Sequence, residues 1–258
     1  MKRFFIDQSK IVRDQTLISG SDAKHMRNVL RLKPGDNVML FDNAGLEYEA
    51  RITAMSFNCA EVSVIRSFPK SAESPVQIIV AQGFLKEKKM DRLVRQMTEL
   101  GIIQWVPFFA DRSVPRPDEK RLAARTNRWN KIAREAIKQC TRSRPPEISS
   151  VLSFHRALDI GKACDLKIIF WENETNSPNF TFFSQDVKVY RTVFIMLGPE
   201  GGFTFREIET ARSGGCVTAG LGPRILRAET AAVAACSLIQ YFFGDMGEKK
   251  LDNDLKGV

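Results

Sequence analysis

Two rhythms of apolar and polar positions divide this chain. Up to about residue 68 the apolar residues alternate with polar ones: Val38 and Leu40 within residues 37–41, Tyr48, Ala50, Ile52 and Ala54 within 47–55, and Val62 and Val64 within 60–66. A period of two sends every second side chain to one face, so these segments predict half-buried strands. Residues 42–45 and Phe57-Asn58 lie between them and read as turns. Several short antiparallel strands in so few residues predict a small barrel. One helical stretch at 21–32 interrupts it, with Ser21 or Asp22 able to cap its start and Lys33-Pro-Gly-Asp36 ending it.

Beyond residue 75 the rhythm lengthens. Residues 76–82, 102–110, 165–171, 193–197 and 216–219 are strand-like apolar runs. Between them, residues 88–100 place Met90, Leu93, Val94, Met97 and Leu100 on one helical face, closed by Gly101. Residues 118–141 form a long basic helix that 142–146 break. Residues 231–243 are apolar nearly all round, as suits a core helix or one in an oligomer interface. Strands alternating with helices predict a largely parallel α/β sheet. The polar, proline-bracketed stretch at 69–75 is the best boundary in the chain. The expected organisation is therefore a β-barrel domain over 1–70, a linker at 71–75, an α/β domain over 76–246, and a charged tail at 247–258.

Two glycine-bearing loops follow strand-like runs in the last third. They read Leu197-Gly-Pro-Glu-Gly-Gly-Phe203 and Gly220-Leu-Gly-Pro-Arg-Ile-Leu-Arg-Ala-Glu-Thr230. Loops at the carboxyl ends of parallel strands are where open α/β sheets bind ligands, and two in succession suggest one composite pocket. Thr204 with Glu207 three residues on forms a capping box, so a helix begins just past Gly202. The glycine spacing fits neither a dinucleotide fingerprint nor a phosphate-binding P-loop. Main-chain recognition of a nucleoside-like group stays open, beside the plainer reading of two tight turns. The second loop puts Arg224, Arg227 and Glu229 within six residues, either as chemistry or as a surface Arg–Glu pair.

Composition narrows the classes. The 258 residues are 43% hydrophobic and 27% charged, as in a soluble globular protein. The 39 Lys and Arg against 30 Asp and Glu leave a formal charge of +9, which favours a polyanionic partner. The odd number of cysteines, five, is scattered, and His25 and His155 lie far apart, so no metal site is expected. The first residues lack the apolar core of a signal peptide, and no run approaches a membrane span. The expectation is a cytoplasmic protein.

The paired loops, together with Met90-Asp-Arg-Leu, Thr98-Glu-Leu-Gly101, Arg112-Ser113 and His25 followed by Val29-Leu-Arg-Leu-Lys-Pro-Gly-Asp36, closely resemble the SPOUT-class methyltransferases. Within that class the chain resembles the bacterial 16S ribosomal RNA uridine-N3 methyltransferases over nearly its whole length. It departs at Lys138-Gln-Cys-Thr-Arg142, where that family would carry an acid at the first position. The resemblance implies a deep trefoil knot in the C-terminal domain, a PUA-like or OB-like RNA-binding barrel before it, and a homodimer. It implies S-adenosylmethionine as cofactor, lying against Phe170, Leu197, Gly198, Gly202, Leu221, Gly222, Ile225, Leu226 and Arg227. The implied substrate is 16S ribosomal RNA in the small subunit, methylated at N3 of a uridine. A non-catalytic RNA-binding assembly factor, or a knotted enzyme acting on another atom, are the alternatives.

Uracil N3 must lose its proton for that reaction. Arg224 and Arg227 are candidates to stabilise the resulting anion, and Glu200 or Glu229 to accept the proton, unless either glutamate instead orients an arginine. RNA contacts are expected from Lys2 and Arg3, from Arg27 and Arg31 on a shared helix face, from Arg112, and from Arg121, Arg125, Arg128, Arg134 and Arg142 on and after the long basic helix.

Overall fold

The computed structural model describes residues 2–6, 8–42, 46–69, 72–86, 88–114, 116–174 and 190–247. Residues 43–45 of the first expected turn, residues 70 and 71 at the expected boundary, and the charged tail past Gly247 lie outside them. The chain divides into two compact units: Met1–Glu73 with Arg134–Pro145, and Ser74–Ala133 with Pro146–Val258.

In the first unit, β1 (Arg3–Phe5), β2 (Gln15–Ser19), β3 (Asn37–Phe41), β4 (Leu46–Met55) and β5 (Cys59–Pro69) form one curled sheet in the order β1-β3-β4-β5-β2. Its pairings are antiparallel except for β1 on β3. The alternating residues Val38, Leu40, Tyr48, Ala50, Ile52 and Val62 point inward with Phe4, Ile18 and Met26. The helical stretch differs from its expected form. It starts as α1 (Ser21–Lys24), with Gly20 rather than Ser21 or Asp22 at the N-cap and no side-chain cap bond. A wider π turn over His25–Val29 follows. Arg31 lies beyond it in the left-handed region at φ 53°, so Arg27 and Arg31 do not share a helix face.

The second unit is a seven-stranded parallel sheet. In order it carries β12 (Val217–Ala219), β10 (Leu166–Phe170), β11 (Thr192–Leu197), β6 (Gln77–Gly83), β7 (Gln104–Phe109) and β8 (Glu147–Ile148), with β9 (Leu152–Ser153) also on β7. A parallel strand covered on both faces must be apolar on both, which is why these strands read as continuous runs. On β11, Val193, Ile195 and Leu197 face a core built with Met90, Leu93 and Met97 of α2 (Lys89–Glu99), Trp129 of α3 (Glu119–Cys140), and Ala232 and Ile239 of α6 (Ala228–Phe243). Phe194 and Met196 face the other way, onto Ala157 of α4 (Phe154–Ile160) and Ile208 and Ala211 of α5 (Phe205–Ser213). The part of α3 from Arg134 onward is grouped with the first unit.

Helix α6 is buried on one side only. Ala232, Ala235, Cys236, Ile239 and Gln240 are buried, Val233, Ala234 and Leu238 are half-buried, and Tyr241 is exposed. The buried amide of Gln240 donates to the Leu100 carbonyl at 2.6 Å, and its oxygen accepts from the Ser74 hydroxyl at 2.7 Å. No helix among the described residues is long and apolar enough to cross a membrane.

Candidate functional site

Register in the second unit sets the site. Gln82 pairs with Leu197, Leu197 with Phe170, and Phe170 with Ala219, so four parallel strands end in one row. The loops that leave this row run on the same edge of the sheet, and both glycine loops are among them.

The first loop is braced from below. The Gln82 amide, fully buried, donates to the carbonyls of Gly198 (3.0 Å) and Gly83 (3.1 Å). Gly83 permits a close approach of the two backbones: a Cβ there would sit 2.5 Å from the Pro199 nitrogen. Gly202 turns back to the Pro199 carbonyl (2.9 Å) at φ 67°, and a side chain on it would collide with the Glu172 carboxylate. Thr204 then caps α5, and its capping box is complete. Buried Glu207 accepts from the Thr204 amide and from the Asp111 amide, each at 2.9 Å. The Arg112 guanidinium donates to the Gly201 carbonyl at 3.1 Å, so this arginine supports the loop.

The second loop begins where the Trp171 amide donates to the Ala219 carbonyl at 2.9 Å. Leu221 and Leu226 are half-buried, while Ile225 is 86% exposed. Among the described residues, the main-chain groups of Leu221, Gly222 and Ile225 take part in no turn or loop hydrogen bond. Arg227 is the N-cap of α6, in extended conformation and with no side-chain cap bond. Arg224 and Arg227 are exposed, and no ion pair joins either to Glu200 or Glu229 among the described residues.

Those two glutamates are brought together by a residue the sequence did not single out. The Lys89 ammonium lies 3.1 Å from Glu200 Oε1 and 3.4 Å from Glu229 Oε2. Burial alone would raise the Glu200 pKa, but hydrogen bonds from its own amide and that of Lys86, with Lys89 beside it, hold it below the usual carboxylate value. The Lys89 pKa is raised, chiefly by its hydrogen bond to Glu200. Glu229 Oε2 is buried, with the Lys89 ammonium as the cation beside it. Lys89 closes a run of charged residues that reads as a solvated helix start, which hid it. Gln82, a polar residue in an apolar strand, was the visible but unused signal.

The structure sorts the basic residues. Arg3 is paired with buried Glu47 at 2.6 Å and lies over the Phe41 ring, and Arg142, 2% exposed, binds Glu73 through two nitrogens. Both are engaged by carboxylates of the first unit. Arg128 pairs with Asp91 (2.8 Å), Arg121 with Asp118 (3.4 Å), and Arg125 covers the Phe84 ring. Lys2, Arg27, Arg31 and Arg134 are exposed. Lys138 binds Asp22 (3.0 Å) and Glu135 (3.1 Å). It lines a cleft of about 490 Å³ in the first unit with Lys2, Arg3 and His25. Burial raises the Cys216 thiol pKa to about 11, which suits core packing rather than nucleophilic chemistry. Among the described residues no cluster of His, Cys, Asp and Glu could hold a metal ion.

A parallel α/β unit with two glycine loops on one sheet edge, in a chain that also carries a curled five-stranded sheet, defines a class. Residues 72–240 match the family model of an RNA methyltransferase domain, and residues 18–65 that of an RNA methyltransferase PUA domain. The chain is 33% identical over 247 residues to ribosomal RNA small subunit methyltransferase E of Bacillus subtilis, covering 93% of this chain and 96% of that protein. It belongs to the ribosomal RNA small subunit methyltransferase E family. Among solved structures, the Neisseria gonorrhoeae member bound to S-adenosyl methionine is 29% identical with a TM-score of 0.82, over 95% of this chain and 99% of that one. A putative methyltransferase from Legionella pneumophila in complex with SAM is 27% identical with a TM-score of 0.84, over 95% and 98%.

Proposed function

We propose that this protein transfers a methyl group from S-adenosylmethionine to N3 of a uridine in 16S ribosomal RNA of the small subunit. The observation that carries the reading is the single row of strand ends, Gln82, Leu197, Phe170 and Ala219, from which both glycine loops leave. The chain's relationship to methyltransferases seen with this cofactor selects the ligand.

The residues present fit that ligand. An adenosyl group needs apolar surface and main-chain hydrogen-bonding groups, and Leu221, Ile225, Leu226 and the main chain around Gly222 offer both. Phe170, Leu197, Gly198, Gly202 and Arg227 complete the proposed cofactor site. When bound, S-adenosylmethionine supplies a methyl group already activated on a sulfonium sulfur. The protein's own work is then to hold uracil and manage one proton. Arg224 and Arg227, exposed and joined to no carboxylate by an ion pair among the described residues, stabilise the charge that develops on the uracil oxygens. The N3 proton passes to Glu200 or Glu229, the two carboxylates that Lys89 brings together. The N3–carbon bond forms as the carbon–sulfur bond breaks.

The division into an RNA-gripping domain over 1–70, a linker at 71–75, a knotted catalytic domain over 76–246 and a tail at 247–258 belongs to this reading, as does a cytoplasmic location. So does a homodimer, supported by the half-buried apolar side of α6; sedimentation of the whole chain at twice its monomer mass tests it.

The functional test is transfer of labelled methyl to small ribosomal subunits from a strain lacking this protein, followed by nucleoside mass spectrometry. The expected product is one N3-methyluridine, with Arg227→Ala slowing its formation on the order of 10²-fold. A different methylated nucleoside, or no binding of S-adenosylmethionine, overturns the reading.

A further inference from the structure

Phe57 stands at the tip of the turn between β4 and β5 and is 68% exposed. The turn is fastened. The Ser56 amide (2.8 Å) and hydroxyl (3.0 Å) both donate to the Cys59 carbonyl, and the Asn58 carbonyl accepts from the Gly20 amide (3.2 Å). The Arg27 guanidinium lies over the Phe57 ring, 5.3 Å from its centroid. Lys24, Arg27, Arg31 and Lys33 are all exposed along the segment that supplies this arginine.

A single exposed apolar side chain is ordinary on a protein surface. An aromatic ring on a hydrogen-bonded turn, covered on one face by a planar cation and still mostly exposed, is a more particular arrangement. An unpaired nucleobase stacks on both aromatic rings and guanidinium planes, whatever its identity, while nearby cations meet its phosphates. Both residues fall within residues 18–65, the stretch that matches an RNA methyltransferase PUA domain.

We propose that Phe57 and Arg27 form a stacking platform for one unpaired base of the RNA substrate. The platform grips the strand outside the methyl-transfer site, and it rests on the reading that the substrate is RNA. Stacking explains why the ring is held out on a fastened turn, and Arg27 serves as both lid and phosphate-facing charge.

The test is fluorescence anisotropy of the full chain with a labelled single-stranded RNA and with a duplex of the same sequence, over a range of salt. Phe57→Ala is expected to weaken single-strand binding by about five- to a hundredfold. It should leave the salt slope unchanged, because no phosphate contact is removed. Phe57→Trp keeps the affinity, and the melting temperature and S-adenosylmethionine affinity of both variants stay at the wild-type values. If wild type binds and Phe57→Ala binds equally well, the platform alone falls. An equal loss on duplex also overturns it, as does a change only in self-association. If wild type binds neither RNA, the functional reading falls with it.

Discussion

The Lys89 ammonium holds two carboxylates that belong to different parts of the chain, Glu200 in the first glycine loop and Glu229 in the first turn of α6. Its partners raise its pKa, Glu200 foremost, so it stays charged across the working range. Without it, two carboxylates would face each other with no cation, and the loops they anchor would part. Lys89→Met is therefore expected to weaken S-adenosylmethionine binding about threefold to tenfold, a modest figure because the pair is partly solvated. Lys89→Arg keeps the charge and restores most of the affinity, and titration calorimetry on the three proteins reads the difference. A Met variant that binds like wild type removes Lys89 from the site. Arg3 and Arg142 carry the same lesson in reverse: their charge looked available in the sequence and is committed to Glu47 and Glu73.

Among the elements, α5 shows most directly how local sequence sets position. Its capping box ties the end of the first glycine loop to the helix start, and Glu207 adds the Asp111 amide. Thr204→Ala should lower unfolding free energy by about 1 kcal/mol with an unchanged urea m-value. This cap was legible because it is a four-residue signal. The strands of the parallel sheet were legible too, since burial on both faces makes a strand such as Thr192–Leu197 continuously apolar. β2 was not, because Thr16 and Ile18 point inward while Leu17 points to solvent, which blurs the alternation. α4 has seven residues, too few for a helical period to show. The glycine loops announced a site, but the row that aligns Gln82 with Leu197, Phe170 and Ala219 is a property of strand register, which no stretch of sequence contains. The pairing of Lys89 with both glutamates was hidden because it joins side chains far apart in the chain.

At the scale of the whole molecule, an excess of nine positive charges favours an RNA partner and works against compactness through self-repulsion. The first unit also contains buried polar pairs. One is the Tyr48 hydroxyl, which donates to Asp42 at 2.8 Å; burial first, then that carboxylate, raises its pKa to about 12. A pKa raised on folding means the unfolded chain ionises first. The contribution is fully present below about pH 10, the ordinary tyrosine value, and is lost as pH climbs toward 12. Thermal melts from pH 9 to 12 should show this alkaline loss, and Tyr48→Phe should lack the part that belongs to this hydroxyl; equal alkaline slopes in the two proteins would refute it.

The Gln240 amide carries a consequence for how the protein is made. Its partners, Leu100 and Ser74, lie 140 and 166 residues earlier in the chain. A ribosome adding about 5 to 20 residues per second leaves Ser74 waiting on the order of ten seconds for its partner. Throughout that interval the opening strand of the α/β unit exists without its final fastening, and the second glycine loop is synthesised only near its end. A product cut short before residue 240 lacks the lock and the last turn of the helix that carries Glu229. The fold around both glycine loops is therefore fastened only once residue 240 has been made, long after its first strand.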